Sequence, residues 1–112
     1  PLASVRDSVF NSYYDRENRM TEPWVLKSLL LLHHPHWGDY SVKYIYPSLE
    51  LMPELQRTGD IFFPKSWCKN TLHHHYSVKA KESVLRYLEN TPDLLPLLEN
   101  KILQASFHLG IK

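Results

Sequence analysis

The side chains that could do chemistry are, first, histidines. Seven occur in 112 residues, and six of them form two clusters: His33, His34 and His36, then His73, His74 and His75. Imidazole is a common zinc ligand, but a zinc ion needs ligands that converge on one point. On a helix that means positions three or four apart, because neighbours project about 100° from one another. His73, His74 and His75 therefore cannot all reach one ion from a regular helix. His33 and His36 have the number spacing, but Pro35 lies between them. No Glu directly follows a His, so the metalloprotease pattern H-E-x-x-H is missing. Both clusters fall near expected helix C-termini, where imidazoles meet unpaired carbonyls and the negative end of the helix dipole. They are read as caps. The competing reading, a histidine metal site, predicts tight stoichiometric zinc uptake that is lost when His73, His74 and His75 become Ala.

Nucleophiles are scarcer. Cys68 is the single cysteine, next to Trp67 and between Lys65 and Lys69 in sequence. Basic neighbours can activate a thiol, but a lone Cys on an apolar helix reads as a small buried hydrophobe. One Cys excludes an intramolecular disulfide and a Cys-based zinc site. There is no G-x-S-x-G elbow, and three Gly build no phosphate-cradling loop. Carboxylates are scattered, with no pair placed as an acid/base couple. Aromatics alternate with lysines at Lys43-Tyr44-Ile45-Tyr46 and Lys65-Ser66-Trp67, a mixture used by single-strand nucleic-acid binders. At a net charge of +1 the simpler reading is helix-seam aromatics beside solvated lysines, with no nucleic-acid partner. No apolar run reaches the roughly 18 residues of a membrane span. No targeting signal is visible, and the compartment stays open. The chain carries no catalytic centre, metal ligand set or cofactor site of its own in this reading.

The elements that must position these residues are helices. The length suits one domain, 1–112. Three Gly argue against many tight hairpins, and eight Pro fall where helices start or stop. A first helix over 2–14 shows Leu2, Val5, Val9 and Tyr13 as a buried stripe, ended by the polar residues 15–19. A second starts at Thr21-Glu22-Pro23 and stops before Pro35; it is apolar on most sides, which predicts a central position. A turn at 36–39 leads to a third stretch, 40–57, broken at Pro47 and kinked at Pro53. Gly59 is expected in the left-handed C-terminal position. Ile61, Phe62 and Phe63 form an apolar connector, and a fourth helix covers 64–74. Ser77 caps a fifth, to residue 90, with Val78, Val84, Leu85 and Leu88 facing one way and Glu82 paired with Arg86 on the other. The last is regular from about Pro96, with Leu94, Leu98, Ile102, Ala105 and Leu109 in a stripe. The result is an all-α domain of about six short helices. Stacking as antiparallel pairs gives a HEAT- or armadillo-like array; a closed bundle is the other arrangement.

One block is more specific than composition. Gln56-Arg57-Thr58-Gly59-Asp60-Ile61-Phe62-Phe63-Pro64-Lys65, followed by Trp67, resembles a segment near the C-terminus of bacterial members of the aminopeptidase N family of zinc metallopeptidases. Glu22-Pro23-Trp24-Val25-Leu26, Leu32-His33-His34-Pro35, Val42-Lys43-Tyr44-Ile45 and Lys101-Ile102-Leu103-Gln104-Ala105 fit in the same order. The resemblance runs through most of the chain. It implies a HEAT-like C-terminal domain that packs over the catalytic domain of the same polypeptide, helps enclose the chamber and limits access to short peptides. The zinc and the catalytic residues would belong to an earlier domain of a larger parent, and none maps here. The chain, beginning at Pro1, is accordingly read as a piece of that parent. Trp24, Phe62, Phe63 and Trp67 are expected as structural anchors. Tyr44, Asp60 and Lys65 are the candidates for contact with peptide or with the catalytic domain. The alternative is a freestanding helical-repeat module that binds a protein partner.

Overall fold

The structure, a computed structural model, describes residues 3–111. Leu2, expected in the first stripe, lies outside them. The helices are α1 (Ala3–Ser12), α2 (Arg16–Arg19), α3 (Glu22–Leu32), α4 (Ile45–Glu50), α5 (Met52–Thr58), α6 (Phe63–Leu72), α7 (Val78–Asn90) and α8 (Pro96–Ala105). A 3-10 segment, Pro35–Tyr44, joins α3 to α4, and a 3-10 turn, Phe107–Leu109, follows α8. No strand occurs among the described residues. The expected all-α class is the one observed.

Prolines set most of the boundaries. Pro23, Pro53, Pro64 and Pro96 each stand in the first two positions of a helix, where no backbone N–H is needed. Pro53 stands in the first turn of α5, and the expected third helix is three pieces, interrupted at Leu51 just before it; the expected break at Pro47 is not seen, because Pro47 lies within α4. Local capping does the rest. The Asp15 carboxylate accepts the Glu17 N–H at 2.9 Å and turns the polar stretch after α1 into the short α2. Ser77 accepts the Ala80 N–H at 3.2 Å and starts α7. Gly38, at φ +53°, bends the 3-10 segment through a conformation that side-chain-bearing residues rarely adopt.

Packing joins helices distant in sequence. α1 lies on α3, α3 on α6 and α6 on α8, which makes one row. α4 packs on α7 and also on α6, which backs that row with a second. The broadest contacts are thus not between consecutive helices, as the short connections had suggested. Trp67 is the centre. It is fully buried, donates its Nε1–H to the Ser48 carbonyl at 2.9 Å, and meets the edges of Tyr13 and Phe63. Leu29, Ile45, Leu49, Met52, Leu55, Leu98 and Ile102 are fully buried in the same core.

Several expected faces are rotated. α1 buries Arg6 and Phe10 and leaves Val5 exposed. α7 buries Ala80, Ser83, Val84 and Tyr87, while Val78 and Leu85 face out. Its Arg86 lies over the Tyr46 ring, 4.9 Å from the centroid. Leu94, Leu98, Ile102 and Leu109 are buried as the stripe predicts.

Gly59 is a clear departure. Its backbone is extended (φ −104°, ψ −177°), not left-handed. Close approach, not φ, is what a side chain there would upset. A Cβ would stand 2.7 Å from Phe63 Cδ2, 3.0 Å from the Leu55 carbonyl and 3.2 Å from Glu22 Oε2. That carboxylate oxygen accepts the Asp60 N–H at 2.9 Å, which ties the first turn of α3 to the connector before α6.

Candidate functional site

A groove of about 700 Å³ lies between α1, α3 and the 3-10 segment. α1 contributes Val5 and Val9, one turn apart. α3 contributes Trp24, Ser28, Leu31 and Leu32, at the spacing that lines one helix face. Trp37 closes one end, with the Arg6 guanidinium 4.3 Å above its ring. The near-continuous apolar character of α3 thus serves two faces. Val25, Leu29 and Leu32 enter the core, whereas Trp24 and Leu31 are 64% and 55% exposed on the groove side. α3 is not enclosed all round, and Trp24 is not a core anchor: its ring forms groove wall.

The residues singled out by sequence do not converge. Tyr44 is buried, and its hydroxyl donates to the Asp7 carboxylate, which also meets Lys43 Nζ at 2.9 Å. The Tyr44 hydrogen bond, then Lys43, hold the Asp7 carboxyl below the ordinary carboxylate range. Tyr44 thus fastens the 3-10 segment to α1. Asp60 caps its own turn by accepting the Phe62 N–H at 3.0 Å. Lys65 is exposed on α6. Phe63 and Trp67 are buried, but Phe62 is 70% exposed, because α6 begins at Phe63 and turns the preceding ring away from the core. Ile61 beside it is exposed too.

The histidines act in ways that short-range spacing did not show. His33 Nδ1 lies 2.8 Å from His75 Nε2, and both rings are buried. Burial drives both imidazoles toward the neutral form, His75 down to about 4. His33 Nε2 has no hydrogen-bond partner, so the least costly arrangement leaves it a bare acceptor and places the shared proton on His33 Nδ1. Capping is done by His34, whose Nδ1 accepts the His36 N–H at 3.0 Å, and by His108. His108 Nε2 reaches two carbonyls, Leu72 at 3.0 Å and His75 at 2.8 Å, so that nitrogen carries its proton and donates. Among the described residues no three His, Cys, Asp or Glu side chains gather as a metal would require. Cys68 is fully buried, and burial pushes its thiol up to about 12, which removes it as a nucleophile in the folded chain. No described helix is long and apolar enough to cross a membrane.

Searches against protein-family models, curated proteins and solved structures return no match to the chain.

Proposed function

We propose that the chain is a non-catalytic helical domain of a zinc aminopeptidase, which packs against the catalytic domain of the same polypeptide and closes part of the chamber around the peptide substrate. The aminopeptidase assignment itself comes from the resemblance centred on residues 56–67. The observation that carries the packing role is the apolar groove. A domain that covers another must present apolar surface, and Trp24, Leu31 and Val5 present it beside about 700 Å³ of open space. Ile61 and Phe62 add a second exposed apolar point at the block on which the resemblance rests. The two rows α1–α3–α6–α8 and α4–α7 are read here as successive layers of a HEAT-like array. Zinc and the reacting groups belong, in this reading, to the catalytic domain.

The test is the gene. An open frame upstream of the Pro1 codon that encodes H-E-x-x-H with a downstream Glu supports the proposal. A start codon immediately before Pro1 overturns it and leaves the freestanding interaction module, for which the same groove would seat a protein partner.

A further inference from the structure

A second cleft, of about 250 Å³, separates α6 from α8. Lys65, Lys69 and His73 line one wall at four-residue spacing, which puts them on one face of α6. Lys101 and Gln104 come from α8, and His108 from the 3-10 turn closes the end. The His108 bonds to the Leu72 and His75 carbonyls hold that end wall against the last turn of α6. No carboxylate lines the cleft, although the chain has 12 acidic residues for 13 basic ones. Among the described residues the ion pairs are Arg19–Glu54 and Lys43–Asp7, so none of the three cleft ammoniums belongs to one.

Helix electrostatics explain only part of this. Lys69 and His73 answer the negative end of α6. Lys65 stands in the first turn, at the positive end, where a cation is disfavoured. Lys101 is in the middle of α8 and answers neither end. Three like charges brought to one acid-free cleft raise a positive potential that an anion would relieve.

We infer that the cleft between α6 and α8 binds an anionic group of carboxylate or phosphate size, held between Lys65, Lys69 and Lys101. The group would come either from a free small anion or from a side chain of an acidic peptide. This inference is independent of the aminopeptidase reading. Amide chemical shifts of the 112-residue chain, titrated at low salt with inorganic phosphate and separately with an acetylated, amidated triglutamate, test it. Saturable shifts confined to residues 65–73 and 101–108 are expected, and they should weaken as salt rises. Tighter saturation by phosphate identifies the free anion, and tighter saturation by the peptide identifies the acidic side chain. The K65Q/K101Q variant should weaken binding about tenfold or more, whereas K27Q/K79Q, on exposed lysines of α3 and α7, should leave it unchanged. Circular dichroism verifies that both fold, and K69Q alone replaces the double variant if that one does not. Shifts that never saturate, that appear equally around Lys27 and Lys79, or that survive K65Q/K101Q overturn the inference.

Discussion

Gly59 and His75 show how single residues constrain this chain for different reasons. At Gly59 the constraint is space. Phe63 is buried, so its ring must shift against packed neighbours to make room for a new methyl group. Gly59→Ala should therefore cost about 1–3 kcal/mol of stability, the range for overpacking, measured as a lower urea midpoint with an unchanged slope. An unchanged midpoint would show that the corner gives way. At His75 the constraint is charge. The folded protein holds this imidazole at about 4, against an ordinary value of 6.5. Burial is the main cause; His74 and His108 push the same way, and Asp39 opposes them. Between those values the unfolded chain takes up a proton that the folded one refuses. Stability is thus complete above pH 6.5 and falls as pH drops toward 4, by on the order of 3 kcal/mol from this group. Urea titrations at pH 7.5 and 5.0 check the direction, and His75→Asn should reduce the difference, the remainder coming from His33, whose buried imidazole is also held below its ordinary value. Sequence spacing did not reveal this pair because His33 and His75 are 42 positions apart. Nor did it place the caps: His34 accepts an N–H at the start of the 3-10 segment, and the imidazole that meets carbonyls at the end of α6 is His108, outside both clusters.

Among the elements, α6 connects the others. It touches α3, α4, α5 and α8, and Trp67 reaches from it into α4 through the Ser48 carbonyl. Trp67→Ala should cost about 3–5 kcal/mol. Trp67→Phe keeps most of the packing but leaves that carbonyl unbonded, at about 1–3 kcal/mol. Thermal unfolding of the two variants separates the contributions, and equal losses would mean that the hydrogen bond adds nothing. The ends of the helices were legible because their causes are local: Pro23, Pro64 and Pro96 in first turns, and Ser77 as a cap. The buried faces of α1 and α7 were legible only in part. Val84 is buried and Leu88 packs on the core as the α7 stripe predicts, but the helix also enters the core on Ala80, Ser83 and Tyr87, small or amphipathic residues that carry little hydrophobic period, while its Val78 and Leu85 stay outside. Which neighbour approaches, and from which side, is a long-range fact that a helix does not write into its own spacing.

For the whole molecule, the apolar groove separates folding from docking. Trp24 and Leu31 are solvated on the groove side, so W24S/L31S should change stability by only about 0.5 kcal/mol. Under the proposed function, the same change should abolish co-purification with the parent's catalytic domain when the two parts are expressed as separate chains. Unchanged co-purification would remove the groove from the interface. The candidate site was half legible: the sequence showed α3 to be apolar on most sides, but not that the surplus face remains uncovered.

The burial of Cys68 gives the protein a built-in clock. It is the only thiol, lies at the heart of α6 and stays protonated in the folded state. A thiol reagent cannot touch it until α6 leaves the core. At mildly alkaline pH the labelling rate, followed by mass, should therefore count opening events and rise with added urea in step with global unfolding. A rate equal to that of a free thiol would show that α6 breathes on its own.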